Sequence, residues 1–98
     1  MMNTTDCPFC KIIRGDAPAS VVAENENLIS FMTLRPTRPG ECLVVPKQHI
    51  DHFTDIPDET AAALMVMAQA IGRVMRNEFH CQRVGMVVHG SAFLMLIS

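Results

Sequence analysis

With 98 residues, 49% hydrophobic and 18% charged, the chain has the balance of one globular domain spanning 1–98, not that of a disordered segment. A net charge of −2, with its eight Lys and Arg scattered, leaves no basic stripe and argues against a nucleic-acid partner. The opening Met1-Met2-Asn3-Thr4-Thr5-Asp6 has no leader pattern, and the longest apolar run, Ala61 to Ala68, is too short for a membrane span, so a cytoplasmic protein is expected.

Cys7-Pro8-Phe9-Cys10-Lys11-Ile12-Ile13-Arg14-Gly15 reads as a turn leading into a short amphipathic helical turn, stopped at Gly15 and by the Asp16/Pro18 breakers. Val21 to Glu24 and Leu28 to Met32 read as two strands, and the polar Glu24-Asn25-Glu26-Asn27 supplies the hairpin turn. Arg35-Pro36-Thr37-Arg38-Pro39-Gly40 is a fixed loop, because two prolines and a glycine suit neither a helix nor a central strand. It delivers the chain into Glu41 to Val45, whose apolar, β-branched content suits a buried strand ending at Pro46.

The strongest helix pattern lies between Pro57 and Phe79. Asp55 can cap it, Pro57 is tolerated in the first turn, and Asp58 and Glu59 favour the positive end of the dipole. Leu64, Ala68, Ile71, Met75 and Phe79 form one apolar stripe. Arg83 to Gly90 reads as a further strand, and the apolar run Phe93 to Ile97 can add an edge strand exposed to aggregation. The predicted fold class is α+β: an antiparallel sheet of four strands plus an aberrant edge strand, one long helix and a short N-terminal helical turn.

Four cysteines, Cys7, Cys10, Cys42 and Cys81, are read as thiols or metal ligands in a reducing compartment. Two thiolates at the Cys7–Cys10 spacing can grip one tetrahedral zinc, and His49 is the best remote addition; free thiols with a solvated histidine are the alternative. A redox pair fits poorly, since no strand precedes the motif and no long helix follows it. Pro46-Lys47-Gln48-His49 could meet an anion or a metal, or serve only as a polar connection. Cys42 and Cys81 read as core or edge thiols, and His52 and His80 as surface residues.

The ordered set is more specific than any part of it. Cys7 to Gly15, then Phe31-Met32-Thr33-Leu34-Arg35-Pro36, then Pro39 to His49 closely resembles the histidine-triad (HIT) family, and the resemblance extends to about residue 90. It implies a half-barrel sheet crossed by a long helix, pairing of two copies, and binding of purine nucleotides. It also implies attack on the α-phosphate by a histidine, in hydrolysis of nucleoside phosphoramidates or dinucleoside polyphosphates or in nucleotidyl transfer. Pairing would help a domain this small, which alone buries only roughly 60–65% of its unfolded surface. Phe9, Ile12, Phe31 and Leu34 match the family's base pocket. Thr33 stands where an Asp usually accepts the ribose hydroxyls, so the bidentate bond is lost. His89 falls where many members carry an Asn near the phosphates.

The family's chemistry lies in a strand of alternating histidines, His-φ-His-φ-His, where φ is apolar. This sequence has no such run, so no catalytic residue is assigned. After His89-Gly90 it reads Ser91-Ala92-Phe93-Leu94-Met95-Leu96-Ile97-Ser98. That tail can be encoded TCG GCG TTC CTC ATG CTC ATC TCA. Read two bases later, it becomes Gly-Val-Pro-His-Ala-His-Leu, the start of a triad strand, and restoring one lost T puts a Phe before it. The expectation is a HIT domain shortened by a frameshift, by descent a nucleotide hydrolase or transferase, that binds purine nucleotides without turning them over; a natural short variant with an unrelated apolar tail is the alternative for its end. A small zinc-stabilised interaction domain without a nucleotide role is the competing reading.

Overall fold

A computed structural model describes residues 8–15, 19–32, 41–80 and 83–97. The elements are α1 (Pro8–Arg14), β1 (Val21–Glu24), β2 (Leu28–Met32), β3 (Cys42–Pro46), a 3-10 turn (Phe53–Asp55), α2 (Asp58–Phe79), β4 (Val84–His89) and β5 (Ala92–Ile97). All five strands join one antiparallel sheet in the order β1-β2-β3-β5-β4. This is the expected α+β class, with the long helix on one face of the sheet.

Local chemistry explains the boundaries. The β1–β2 hairpin closes because the Asn25 side-chain oxygen accepts hydrogen bonds from the backbone N–H groups of Asn27 and Leu28, at 2.9 and 2.8 Å. Helix α2 starts one residue later than its sequence suggests, with Pro57 at the N-cap and no side chain capping it. Asp55 is no cap, because it belongs to the preceding 3-10 turn, where its N–H bonds the His52 carbonyl at 3.0 Å. Asp58 and Glu59 do occupy the first turn, and the helix ends at His80 in the left-handed conformation, φ 50°.

Leu64, Ala68, Ile71 and Met75 are buried as one stripe. They pack on Leu28, Cys42, Val44, Phe93 and Met95 from the sheet. Phe79 departs from the stripe and is 46% exposed. At the last turn the helix reaches the edge strand β1, and Phe79 lines an open groove there with Val22 and Val74.

The terminal apolar run differs most from expectation. It forms β5, and it is not an edge: it pairs with β3 through Cys42↔Met95, Leu43↔Leu94 and Val44↔Phe93, and with β4 along its whole length. A two-residue connection, Gly90-Ser91, with Gly90 at φ 62°, turns β4 back on β5. Burial of Phe93 and Met95 beneath α2 holds the strand inside the sheet, so the edges are β1 and β4.

One polar group in this core is unsatisfied. Ser30 is fully buried, and its hydroxyl has no hydrogen-bond partner among the described residues. The neighbouring Cys42 thiol approaches Met75 Sδ at 4.0 Å. Burial pushes that thiol's pKa up, and the nearby Ser30 hydroxyl draws it only partly back without meeting it in hydrogen-bonding geometry. Replacing Ser30 by Ala removes the orphaned hydroxyl at almost no change of shape. Ser30→Ala is expected to leave stability unchanged or raise it by up to about 1 kcal/mol in urea titrations.

Candidate functional site

The face of the sheet opposite α2 carries a second apolar cluster. Ile29, Phe31, Val45 and Ala92 are buried there, and Ile12 and Ile13 of α1, Ala19 and Leu43 pack against them. Residues paired across an antiparallel sheet share a face. Phe31 pairs with Leu43, Leu43 with Leu94, and Leu94 with Val87, so these four form one row across β2, β3, β5 and β4. His89 pairs with buried Ala92 at the turn end of β4, which puts its exposed imidazole on this same face.

Three of the residues matched to the nucleotide pocket, Ile12, Phe31 and His89, therefore share one side of the sheet. Ile12 is partly buried, Phe31 is 2% exposed, and His89 is open to solvent. Thr33 and Leu34 lie outside the described residues, as do the Phe9 side chain and all of Cys7 and Cys81. Strand alternation gives β5 the side chains Ala92, Leu94 and Leu96 on this face. No imidazole stands along that strand.

Two of the three predicted metal ligands, Cys10 and His49, come together. The Cys10 thiol on α1 lies 3.2 Å from His49 Nδ1, although 39 positions separate them in sequence. The two atoms of a thiolate and an imidazole bound to one tetrahedral zinc lie roughly 3.5 Å apart, from Zn–S and Zn–N distances of about 2.3 and 2.0 Å. A shift of a few tenths of an ångström would seat both on one ion, so the donor set fits. Among the described residues no cluster of three metal-ligating side chains converges. Cys7, the remaining candidate, is not among them.

Two features have no counterpart in the sequence reading. His49 Nε2 faces the Asp51 carboxylate at 2.8 Å, a partner that the His-x-Asp spacing alone does not single out. Ser91 donates from its hydroxyl to the Ile50 carbonyl, tying the β4–β5 turn to this loop. Lys47, a candidate for meeting an anion, instead pairs with Glu24 at 2.6 Å.

The family model for the HIT domain matches residues 14–94, from the end of α1 into β5. The chain belongs to the HIT family. It is 38% identical over 74 residues to Protein hit of Bacillus subtilis, covering 76% of this chain and 51% of that protein. It is 31% identical over 85 residues to the adenosine 5'-monophosphoramidase hnt1 of Schizosaccharomyces pombe, covering 85% of this chain and 64% of that one. The HIT chain thus spans about half to two thirds of the length of these relatives. Among solved structures, a zinc-bound histidine triad family protein from Mycobacterium smegmatis superposes with a TM-score of 0.84 at 30% identity, over 97% of this chain and 76% of that one. No helix among the described residues is long and apolar enough to cross a membrane.

Proposed function

We propose that this HIT domain holds purine nucleotides on the sheet face bearing α1 and does not turn them over. The observation carrying the second half is β5, whose site-facing side chains are Ala92, Leu94 and Leu96 where the resemblance calls for alternating histidines. A hydrocarbon side chain has no lone pair to offer phosphorus. On the binding side, Phe9, Ile12, Phe31 and Leu34 would enclose the base, Thr33 would make one ribose hydrogen bond, and His89 would stand toward the phosphates. The relatives' phosphoramidase name supports an adenine nucleotide as the first ligand to try. A single-base shift of the reading frame after Gly90 would account for the absence of the alternating histidines in one step.

Cys7, Cys10 and His49 would hold a structural zinc joining α1 to the exit of β3. The ion would stabilise the fold and supply no chemistry to the nucleotide. The proposed homodimer would form along β4, an edge strand with free backbone groups and exposed Val87 and Val88.

Calorimetric titration with AMP tests the reading. Saturable binding in the micromolar to low millimolar range is expected, weakened several-fold or more in Ile12→Asp. Absence of binding at millimolar AMP would leave the zinc-stabilised interaction domain, which the Cys10–His49 approach independently supports.

A further inference from the structure

The geometry points to Asp51 as a positioning residue that aims His49 at a metal ion, held in place by the turn between β4 and β5. This rests on the zinc reading of Cys7, Cys10 and His49 given above.

A neutral imidazole carries its proton on one nitrogen and offers a lone pair on the other. His49 presents Nδ1 to the Cys10 thiol at 3.2 Å and Nε2 to Asp51 Oδ1 at 2.8 Å. The carboxylate can only accept, so the proton belongs on Nε2 and the lone pair of Nδ1 faces the sulfur. That is the tautomer and ring orientation a metal on Nδ1 requires, and a carboxylate behind a ligating histidine also raises its basicity. A histidine free of this bond could rotate or present the protonated nitrogen to the ion.

The loop carrying both residues is held from behind. The Ser91 hydroxyl binds the Ile50 carbonyl, between His49 and Asp51. Gly90 lies so close that an added Cβ would come within 3.1 Å of the Asp51 carbonyl oxygen, and its φ of 62° disfavours any side chain. The sulfur comes from the helix before the sheet, the imidazole from the exit of β3, and the support from the β4–β5 turn. Metal occupancy would therefore register the seating of three segments distant in sequence. An ordinary surface His–Asp pair also gives a short contact, since the Asp51 side chain is 54% exposed. What separates the two is whether zinc depends on it.

The test is zinc affinity, measured on the whole 98-residue chain by competition with a chromophoric chelator, for wild type, Asp51→Ala and Asp51→Asn. Asp51→Ala is expected to weaken zinc binding by about 10-fold or more, in line with losses of ligand-orienting partners. Asp51→Asn keeps an acceptor but no charge and should fall between the two. Thermal melting of the metal-free forms should be the same for all three, and the cobalt-substituted wild type should show a thiolate-to-metal band that Asp51→Ala shifts. Equal zinc affinities for wild type and Asp51→Ala would overturn the positioning role while leaving the zinc site intact. A metal-free Asp51→Ala that melts well below wild type would overturn it in favour of a structural role. Failure of the wild type to take up zinc would remove the zinc reading, and this inference with it.

Discussion

Incubated with adenosine 5'-phosphoramidate, the purified 98-residue chain is expected to release product no faster than buffer. Removing a nucleophile outright costs on the order of 10⁴–10⁶ in kcat, which brings even an efficient hydrolase close to undetectable turnover. None of the four imidazoles in the sequence stands in the alternating pattern that the resemblance calls for. His49 is engaged by Cys10 and Asp51, and His52 stacks on Phe53 beyond the sheet. His80 caps the far end of α2. His89 is on the right face, but it stands alone at the end of β4 without a second imidazole alternating beside it. Turnover by pure protein well above the buffer rate would overturn the inactive reading, and its retention in His89→Ala would mean that a group other than His89 attacks phosphorus.

The second large effect concerns stability. Phe93→Ala is expected to cost about 3–5 kcal/mol, the usual range for emptying a buried aromatic site. Phe93 is 7% exposed and packs in the cluster of Leu64, Ile71 and Met75 with Val44 beside it. A domain of this size has only about 5–15 kcal/mol in total, so the variant should melt many degrees lower or fail to accumulate. Circular-dichroism melts compare it with Val66→Ala, an exposed position on α2 that should change little. A tail that merely trailed from the sheet would make the two substitutions equally mild, and that outcome would remove β5 from the core.

Much of this fold can be read from local pattern. The 3.6-residue stripe of α2, the Asx-closed hairpin after Glu24 and the apolar run of β3 each announce themselves within a few residues. Local pattern misleads where a distant partner decides. Phe79 continues the stripe in sequence, but the sheet beneath it has run out to its edge strand, so it stays exposed. The tail's uniform apolarity says that both its faces want cover and not which strands will flank it; interior placement follows from Phe93 and Met95 docking under α2. For the site, the pairing of Cys10 with His49 is legible because zinc chemistry asks for a third ligand. Asp51 gives no such signal, because a carboxylate two residues from a histidine is commonplace until the ring's orientation is known.

The sheet order has a further consequence for how the molecule comes into being. The chain is made from β1 towards β5, yet β5 lies between β3 and β4. Until the ribosome has extruded residues 92–97, β3 has an open hydrogen-bonding rim and α2 has no Phe93 or Met95 to rest on. The nascent domain therefore waits with an unfinished gap at its centre, the condition in which apolar strands recruit the wrong neighbours. Holdase binding during synthesis, and release when β5 closes the gap, is the cellular behaviour this topology calls for.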